Sequence, residues 1–117
     1  MKQALLDTSF IMTCIKQKID FFTYLEEEGF QILIPKQVIA ELEGLAKSST
    51  NAQFALKILL KKDLQPIDLK TRNVDEGIKE YAIKNNSVTI ATLDKGIQTN
   101  VKNKKLIIRG KKKLEFT

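Results

Sequence analysis

Short apolar segments typical of strands alternate with longer segments of helical periodicity along the whole chain. This alternation predicts βαβ units, in which parallel strands form a central sheet that helices cover on both faces. The predicted strands comprise residues 3–6, 31–34, 65–68, 87–93 and 105–109, with a further edge strand at 114–116. The predicted helices comprise residues 9–18, 20–28, 36–47, 51–62, 73–85 and 94–103. Because no linker, repeat or low-complexity tract divides the chain, we expect residues 1–117 to form one three-layer α/β/α sandwich.

Residues that favour helix ends stand at three of the predicted boundaries. Gly29 suits the C-cap of the second helix, and Pro35 suits the first turn of the third. Asn73, followed by Glu76 three residues later, forms a capping-box pattern at the start of helix 73–85. These signals support the helix assignments independently of the apolar pattern.

The composition excludes several kinds of catalytic site. The chain has no histidine, so it contains neither a Ser-His-Asp triad nor a His-ligated zinc site. Its one cysteine, Cys14, excludes an internal disulfide and a Cys-rich metal cluster, and we expect it to be a small apolar residue of the core. None of the five glycines has the spacing of a dinucleotide-binding or P-loop motif. Any chemistry must therefore come from carboxylates, lysines, hydroxyls or a bound metal.

Basic residues outnumber acidic ones by 20 to 14, and the resulting net charge of +6 suggests an anionic partner. Asp7 interrupts the apolar start of the chain too early for a secretory signal. No apolar stretch approaches the roughly 18 residues that a membrane span needs. We therefore expect a cytoplasmic protein that does not associate with membranes.

Two carboxylates directly follow predicted strands. Asp7 ends the first apolar run and Asp94 ends the fourth. In open parallel sheets, ligands bind beyond the carboxyl ends of the strands, so the two acids are candidates for one site. Asp is also a common N-cap residue, and taken singly each acid is explained at least as well by that role.

Helical periodicity places further candidate acids. The buried face of helix 36–47 is predicted to consist of Val38, Ile39, Leu42, Leu45 and Ala46. Glu41 and Glu43 lie on the two flanks of this face, about equally far from its centre, so periodicity alone does not choose between them. Glu43 has a partner for an ion pair in Lys47, four residues later, whereas Glu41 lacks one.

The helix at 73–85 carries three acids in different positions. Its predicted buried face consists of Val74, Ile78, Tyr81 and Ala82. Asp75 lies at the margin of this face, while Glu76 and Glu80 point to solvent. Asp75 is therefore the better candidate for a half-buried functional acid, although the positive end of the helix alone would favour an acid there.

Taken in order, these segments resemble the PIN-domain nucleases. The motifs LLDTSF, IPKQVIAELEGL, VDEGIKEYA and VTIATLDK carry the resemblance, which covers essentially the whole chain and implies the strand order 3-2-1-4-5. The catalytic acids implied by their positions in these motifs are Asp7, Glu41, Asp75 and Asp94. The implied metal ligands are Asp7, Asp75 and Asp94, and the implied supporting hydroxyls are those of Thr8 and Thr92.

The resemblance also implies cleavage of single-stranded RNA with Mg²⁺ or Mn²⁺. The chemistry is consistent with this, because clustered carboxylates repel one another and Mg²⁺ or Mn²⁺ prefers oxygen ligands. The segment LIIRGKKKLEF further resembles the archaeal and eukaryotic branch that processes small-subunit ribosomal RNA. Ser9 and Leu93 depart from that branch, which usually has Asn at the first position and often at the second.

A run of basic residues follows the last acid. It consists of Lys102, Lys104, Lys105, Arg109, Lys111, Lys112 and Lys113. One interpretation is a solvated run that protects a sheet edge from aggregation. The other is a track for RNA phosphates, for which the six lysines are the candidate residues.

Three functions are compatible with these motifs. The first is a metal-dependent endoribonuclease that acts on precursors of ribosomal RNA. The second is the toxin of a toxin–antitoxin pair, with an antitoxin as its partner. The third is a non-catalytic RNA-binding factor in ribosome assembly, which would require a lost acid. A homodimer is compatible with each of them.

Overall fold

The computed structural model describes residues 1–62, 64–110 and 112–117, and the predicted RNA contact Lys111 lies outside the described residues. The strands are β1 (Lys2–Leu6), β2 (Phe30–Pro35), β3 (Gln65–Ile67), β4 (Thr89–Ala91), β5 (Lys105–Arg109) and β6 (Lys113–Phe116). The helices are α1 (Thr8–Gln17), α2 (Phe21–Glu27), α3 (Lys36–Leu45), α4 (Thr50–Lys61), α5 (Val74–Lys84) and α6 (Lys95–Asn100). Every predicted element is present, with its ends within three residues of the prediction.

The strands form one sheet in the order β3-β2-β1-β4-β5-β6. Neighbouring strands are parallel from β3 to β5, and β6 is antiparallel to β5. The predicted order 3-2-1-4-5 is therefore confirmed, and β6 extends the sheet at one edge. The carboxyl end of the sheet is the end where β1 to β5 terminate, and the amino end is the end where they begin.

Side chains of β1 alternate between two cores, one on each face of the sheet. Ala4 and Leu6 belong to a larger core formed with α1, α2, α3 and α4, whereas Leu5 belongs to a smaller core formed with α5 and α6. Successive side chains of a strand point to opposite faces, so a buried strand needs apolar residues in an unbroken run. The predicted α/β/α layering is thus confirmed.

The helix ends follow the predicted signals with two differences. Gly29 ends α2 with a φ of +81°, and the Asn73 side chain caps α5 by accepting the Glu76 amide at 3.1 Å. The Glu76 carboxylate does not return to the cap but lies 3.3 Å from Lys79 Nζ, so only half of the capping box forms. Pro35 is the last residue of β2, one residue before α3, rather than the first helical residue.

Two further expectations concern Cys14 and membrane-spanning helices. Cys14 is fully buried in the larger core, and this burial raises the pKa of its thiol to about 12. The thiol therefore stays protonated at neutral pH and acts as an apolar side chain. Within the described parts of the chain, no helix has the length and apolar character that crossing a bilayer requires.

Candidate active site

The four predicted acids line one open cleft at the carboxyl end of the sheet. Asp7 follows β1 and Asp94 follows β4, while Glu41 lies on α3 and Asp75 in the first turn of α5. The cleft has a volume of about 540 Å³. Its lining residues are Asp7, Thr8, Ser9, Met12, Glu41, Leu45, Asp75, Leu93 and Asp94. The topology thus brings together acids that are separated by as many as 87 residues in the chain.

Asp7 is the buried acid of the cleft, with 5% of its surface exposed. One carboxylate oxygen accepts the Thr8 amide at 2.7 Å, and the other accepts the Thr92 hydroxyl at 2.8 Å and the Ser9 hydroxyl at 3.2 Å. Burial raises the pKa of Asp7 above its ordinary value, and the charge of Glu41 adds to this, while the three hydrogen bonds oppose it. Asp7 is therefore a fixed carboxylate whose hydrogen bonds only partly offset the cost of burying its charge.

Thr92 connects two of the acids through one hydroxyl group. Its Oγ1 donates to Asp7 and accepts the backbone amide of Asp94 at 3.1 Å. The Gln98 side chain in turn donates to the Thr92 carbonyl oxygen at 2.8 Å. The predicted supporting residue Thr92 thus lies under the cleft, and Gln98 is a neighbour that no sequence motif marked.

Asp94 both caps a helix and lines the cleft. One of its carboxylate oxygens accepts the Ile97 amide at 3.0 Å and caps α6. The same side chain lines the cleft. A cap bond to one oxygen leaves the second oxygen as a potential ligand, so capping orients Asp94 without removing it from the site.

Asp75 is exposed rather than half-buried, because α5 turns its first turn toward the open side of the cleft. Its pKa is raised, first by partial desolvation and then by the negative charges of Asp94 and Asp7. The three carboxylates therefore lie close enough to repel one another. This repulsion is the electrostatic condition that a bound cation relieves.

Glu41 and Glu43, which helical periodicity could not separate, lie in different surroundings. The Thr8 hydroxyl donates a hydrogen bond to Glu41 Oε1, so the residue that follows Asp7 ties α3 to the cleft. Glu43 is exposed and does not line the cleft. The predicted ion pair between Glu43 and Lys47 is absent from the described part of the chain.

Apolar side chains form part of the wall beside the acids. Met12, Leu45 and Leu93 line the cleft, and Leu45 is 43% exposed although periodicity predicted it to be buried. Val38 and Leu42 of the same predicted face are buried. The last turn of α3 therefore leaves the core and presents Leu45 to the cleft, which periodicity alone could not reveal.

Gln37 is a second residue that no sequence motif marked. It lies one turn before Glu41 on α3, and its side chain donates to Asp68 Oδ1 at 2.9 Å and accepts the Leu69 amide at 3.1 Å. These bonds tie α3 to the loop that leads into α5. Because the partners are more than 30 residues away in the chain, no local pattern predicts the link.

The donor set of the cleft fits a hard divalent cation. No group of three or more His, Cys, Asp or Glu side chains in residues 1–62, 64–110 and 112–117 is arranged so that together they could hold a metal ion. Mg²⁺, however, is usually held by one or two carboxylates and keeps several water ligands. The mutual repulsion of Asp7, Asp75 and Asp94 and the carboxylate and hydroxyl oxygens of the lining match this kind of open site.

The basic run predicted to bind RNA is divided between the two ends of the sheet. Lys102 and Lys104 precede β5, and Lys105 begins it, on the amino side of the strand. Lys112 and Lys113 lie at the start of β6, beside the end of β5. The described lysines of the run do not line the acidic cleft. Other exposed cations follow strands at the carboxyl end: Lys36, Lys70, Arg72 and Lys95.

Comparison with known proteins agrees with this fold. The family described as PIN-like domain matches residues 4–111. Ribonuclease VapC4 of Methanocaldococcus jannaschii is 30% identical over 94% of this chain and 92% of its own length. The chain therefore belongs to the PIN-like domain family. This family places it in the class of PIN-domain nucleases.

Solved structures show the same architecture. The PIN-domain endonuclease Utp24 superimposes with a TM-score of 0.81 at 23% identity, over 97% of this chain and 90% of that chain. The VapBC2 structure from Rickettsia felis, bound to a DNA fragment from its promoter, gives a TM-score of 0.64 at 24% identity, over 88% and 98%. At these identities the likeness establishes the fold, and the resemblance carried by the sequence motifs is confirmed at the level of the family.

Proposed function

We propose that the chain is a metal-dependent endonuclease of single-stranded RNA. The observation that carries this proposal is the convergence of Asp7, Glu41, Asp75 and Asp94 on one open cleft. The match to the PIN-like domain family and the similarity to a protein named as a ribonuclease support it. The chain has no histidine to act as a base, so carboxylates and a cation are the groups available for phosphodiester hydrolysis.

Each acid has a distinct part in the proposed reaction. Asp7, Asp75 and Asp94 would hold Mg²⁺ or Mn²⁺, which when bound supplies a water of lowered pKa and positive charge beside the phosphate. Asp7 is fixed by Thr92, and Asp94 is fixed by the amide that it caps. The exposed Asp75, beside Asp94, would complete the site. Glu41, oriented by Thr8, would accept a proton from the attacking water.

The surroundings of the cleft suit a flexible, negatively charged strand. Exposed cations lie after the strands at the carboxyl end, and they can neutralise phosphates on either side of the scissile bond: Lys36, Lys70, Arg72 and Lys95. Met12, Leu45 and Leu93 offer an apolar wall to an unstacked base. Unpaired RNA can place a base there, whereas the bases of a duplex remain stacked.

The test measures cleavage of single-stranded RNA by the whole chain with Mg²⁺, with Mn²⁺ and with a chelator. We expect cleavage with either ion, loss of cleavage in the chelator, and recovery when the ion is restored in excess. An Asp94→Asn protein should stay inactive under all three conditions while remaining folded by circular dichroism. Cleavage that survives both the chelator and Asp94→Asn would show that another site or a contaminating enzyme is responsible.

For the biological role we propose the processing of ribosomal RNA precursors, with assembly factors as partners. The superposition on Utp24 over 97% of this chain and the resemblance of the segment LIIRGKKKLEF support this role. The similarity to a protein named VapC4 favours the alternative, a toxin with an antitoxin partner. Two experiments separate these roles. Induced expression of a toxin arrests growth, and co-expression of its antitoxin relieves the arrest. Depletion of a processing enzyme instead causes uncleaved precursors to accumulate. A non-catalytic assembly factor would not need the four acids that this chain keeps.

A further inference from the structure

A small cavity at the amino end of the sheet combines cations, hydroxyls and aromatic rings. It has a volume of about 270 Å³ and lies at the opposite end of the strands from the acidic cleft. Its lining residues are Lys2, Glu28, Phe30, Ser87, Thr89, Lys104 and Phe116. A second cavity, of about 520 Å³, lies beside it and shares Lys2 and Ser87 as lining residues.

The aromatic wall of this cavity is held in place by ring stacking and by backbone hydrogen bonds. The Phe116 ring stacks on Phe30 with centroids 5.2 Å apart and an interplanar angle of 12°. It also stacks on Tyr24 with centroids 5.8 Å apart. Two backbone hydrogen bonds between Lys105 and Thr117, of 3.0 and 2.8 Å, hold the end of β6 against β5 and keep Phe116 in place. The rings therefore form a fixed apolar surface at the amino end.

The cations of the cavity are not engaged by acids. Lys2 Nζ lies 4.7 Å from the centroid of the Phe30 ring, and neither Lys2 nor Lys104 forms an ion pair within the described residues. Among the described residues that line the cavity, one is an acid, Glu28, and two are lysines. This leaves positive charge available for an anion that enters the cavity.

Thr89 supplies a polar group in the cavity wall. The residue is 3% exposed and lines the cavity. A threonine hydroxyl can both donate and accept a hydrogen bond. Thr89 therefore offers a hydrogen bond to a molecule in the cavity.

We propose that this cavity binds a nucleotide of the same single-stranded RNA whose scissile bond lies at the acidic cleft, a proposal that rests on the proposed function. The phosphate would lie between Lys2 and Lys104, the base would pack against the edges of Phe30 and Phe116, and Thr89 would hydrogen-bond a polar edge of the nucleotide. Charged groups, hydroxyls and apolar rings in one cavity match the three parts of a nucleotide. The cavity also gives a function to Lys104, one of the lysines that the cleft does not use.

The distance between the two sites sets a length requirement for the substrate. Asp7 follows Lys2 by five residues along β1, which corresponds to a straight line of roughly 16 Å at about 3.3 Å per residue. Because β1 is buried on both faces, an RNA that occupies both sites must take a longer path over the surface and extend several nucleotides beyond the cleaved bond. Short RNAs reach one site at a time, and only long RNAs occupy both sites together.

The experiment measures RNA binding in Asp94→Asn protein without metal, so that neither cleavage nor the cation contributes. The double variant Lys2→Glu with Lys104→Glu is compared with Lys57→Glu and Lys84→Glu, exposed lysines elsewhere whose replacement changes the net charge equally. For a single strand of about twelve nucleotides, within the range that single-strand sites cover, we expect the first variant to bind at least about tenfold more weakly than the control. A strand of about four nucleotides cannot occupy both sites together, so the difference between the two variants should be smaller than for the long strand.

Further variants separate a nucleotide site from a diffuse positive surface. Thr89→Val removes only the hydroxyl and should weaken binding of the long strand several-fold, with a smaller effect on the short strand. Equal weakening by the two double variants would overturn the proposal, because net charge alone would then explain binding. The Thr89 amide resonance also reports the affinity of the cavity for adenosine monophosphate and for the long strand. Tighter binding of adenosine monophosphate would overturn the proposal, because the cavity would then be a site for free nucleotides.

Failure of this inference is distinguishable from failure of the proposed function. Protein with intact acids that carries Lys2→Glu and Lys104→Glu should cleave short RNAs with Mn²⁺, at saturating RNA, as fast as protein that carries the control changes Lys57→Glu and Lys84→Glu. Cleavage without the length-dependent binding would leave the active site supported and the cavity unsupported. Length-dependent binding without cleavage of any RNA by the unaltered protein would support the cavity and contradict the proposed endonuclease.

Discussion

The Thr92 hydroxyl donates a 2.8 Å hydrogen bond to Asp7, so the residue that follows β4 holds the acid that follows β1. The bond is buried, and the same oxygen accepts the Asp94 amide. Neighbouring parallel strands in register place their next residues side by side, which explains how residues 85 positions apart meet. The carboxylate of the cleft with the least exposure is thus oriented by the sheet itself.

The first prediction concerns this bond. Thr92→Val should reduce the free energy of unfolding by about 1–3 kcal/mol, because a buried carboxylate loses a donor and the Asp94 amide loses an acceptor. Since the bond to Thr92 lowers the pKa of Asp7, its removal should raise that pKa further and move the acidic limb of the cleavage profile to higher pH. Thr92→Ser keeps the hydroxyl and should restore both properties, as measured by urea unfolding and by rates across pH. An unshifted pH profile in Thr92→Val would contradict a role for Asp7 in cleavage.

The second prediction uses the raised pKa of Asp7. In the folded protein the pKa lies above the unfolded value of 3.8, so the folded state disfavours the charged form. At pH values above the folded pKa this costs stability, and the cost declines as the pH falls through the folded pKa and disappears below 3.8, where both states bind the proton. Asp7→Asn should therefore raise the melting temperature at pH 7, lose this advantage at pH 4 and below, and abolish cleavage. A stabilisation that is independent of pH would point to packing rather than charge.

The third prediction separates two glutamates of one helix. Glu41→Gln should lower the cleavage rate by about 10²-fold, the typical contribution of a positioned general base. Glu43→Gln, an equal change of charge two residues later on an exposed side chain, should leave the rate unchanged. Single-turnover rates at saturating RNA provide the comparison. Equal losses in both variants would mean that the negative charge of α3, rather than the contact of Glu41 with Thr8, matters for the reaction.

Most of the fold could be predicted from local patterns, because each element is short and its pattern is strong. The run ALL in β1 is apolar on both faces since helices cover both, and Asn73 marks the start of α5 by the amide that it caps. The family resemblance supplied the strand order, which alternation alone does not determine. Among the site residues, Asp7 and Asp94 were visible because acids that directly follow apolar strands lie at the carboxyl end of a parallel sheet.

What could not be predicted depends on contacts between distant segments. Helical periodicity could not choose between Glu41 and Glu43, because the contact that distinguishes them is with Thr8, 33 residues away; only the family resemblance implied Glu41. The support of the α5 loop depends on Gln37, whose partners are more than 30 residues away. The division of the lysine run has a similar origin: the run includes a strand and a turn, so its first and last members lie at opposite ends of β5. Charge counts along the chain contain no information about such a reversal.

The fourth prediction concerns the cations at the carboxyl end. Lysine contacts with phosphates release counterions, and the slope of log affinity against log salt changes by about 0.7 for each phosphate neutralised on a single strand. Lys36→Ala combined with Lys70→Ala should flatten the slope by about 1.4 and weaken binding alike for RNAs of different sequence. Lys57→Ala, on the exposed side of α4, is the control. If the slope stays the same, RNA reaches the cleft by another path.

The last prediction concerns the packing that places Asp75. A Cβ atom on Gly77 would lie 2.7 Å from Thr71 Cγ2 and 2.9 Å from Leu69 Cβ, so α5 is packed directly against the loop that leads into it. Gly77→Ala must push this loop away and should cost about 1–3 kcal/mol of unfolding free energy, despite the better helix propensity of alanine. Gly44→Ala on α3 is the matched control, because a Cβ atom there meets nothing within 4 Å. It should instead stabilise the protein by about 0.5–1 kcal/mol. Urea unfolding of both variants gives the comparison, and a Gly77→Ala protein as stable as Gly44→Ala would show that the loop is not held against α5.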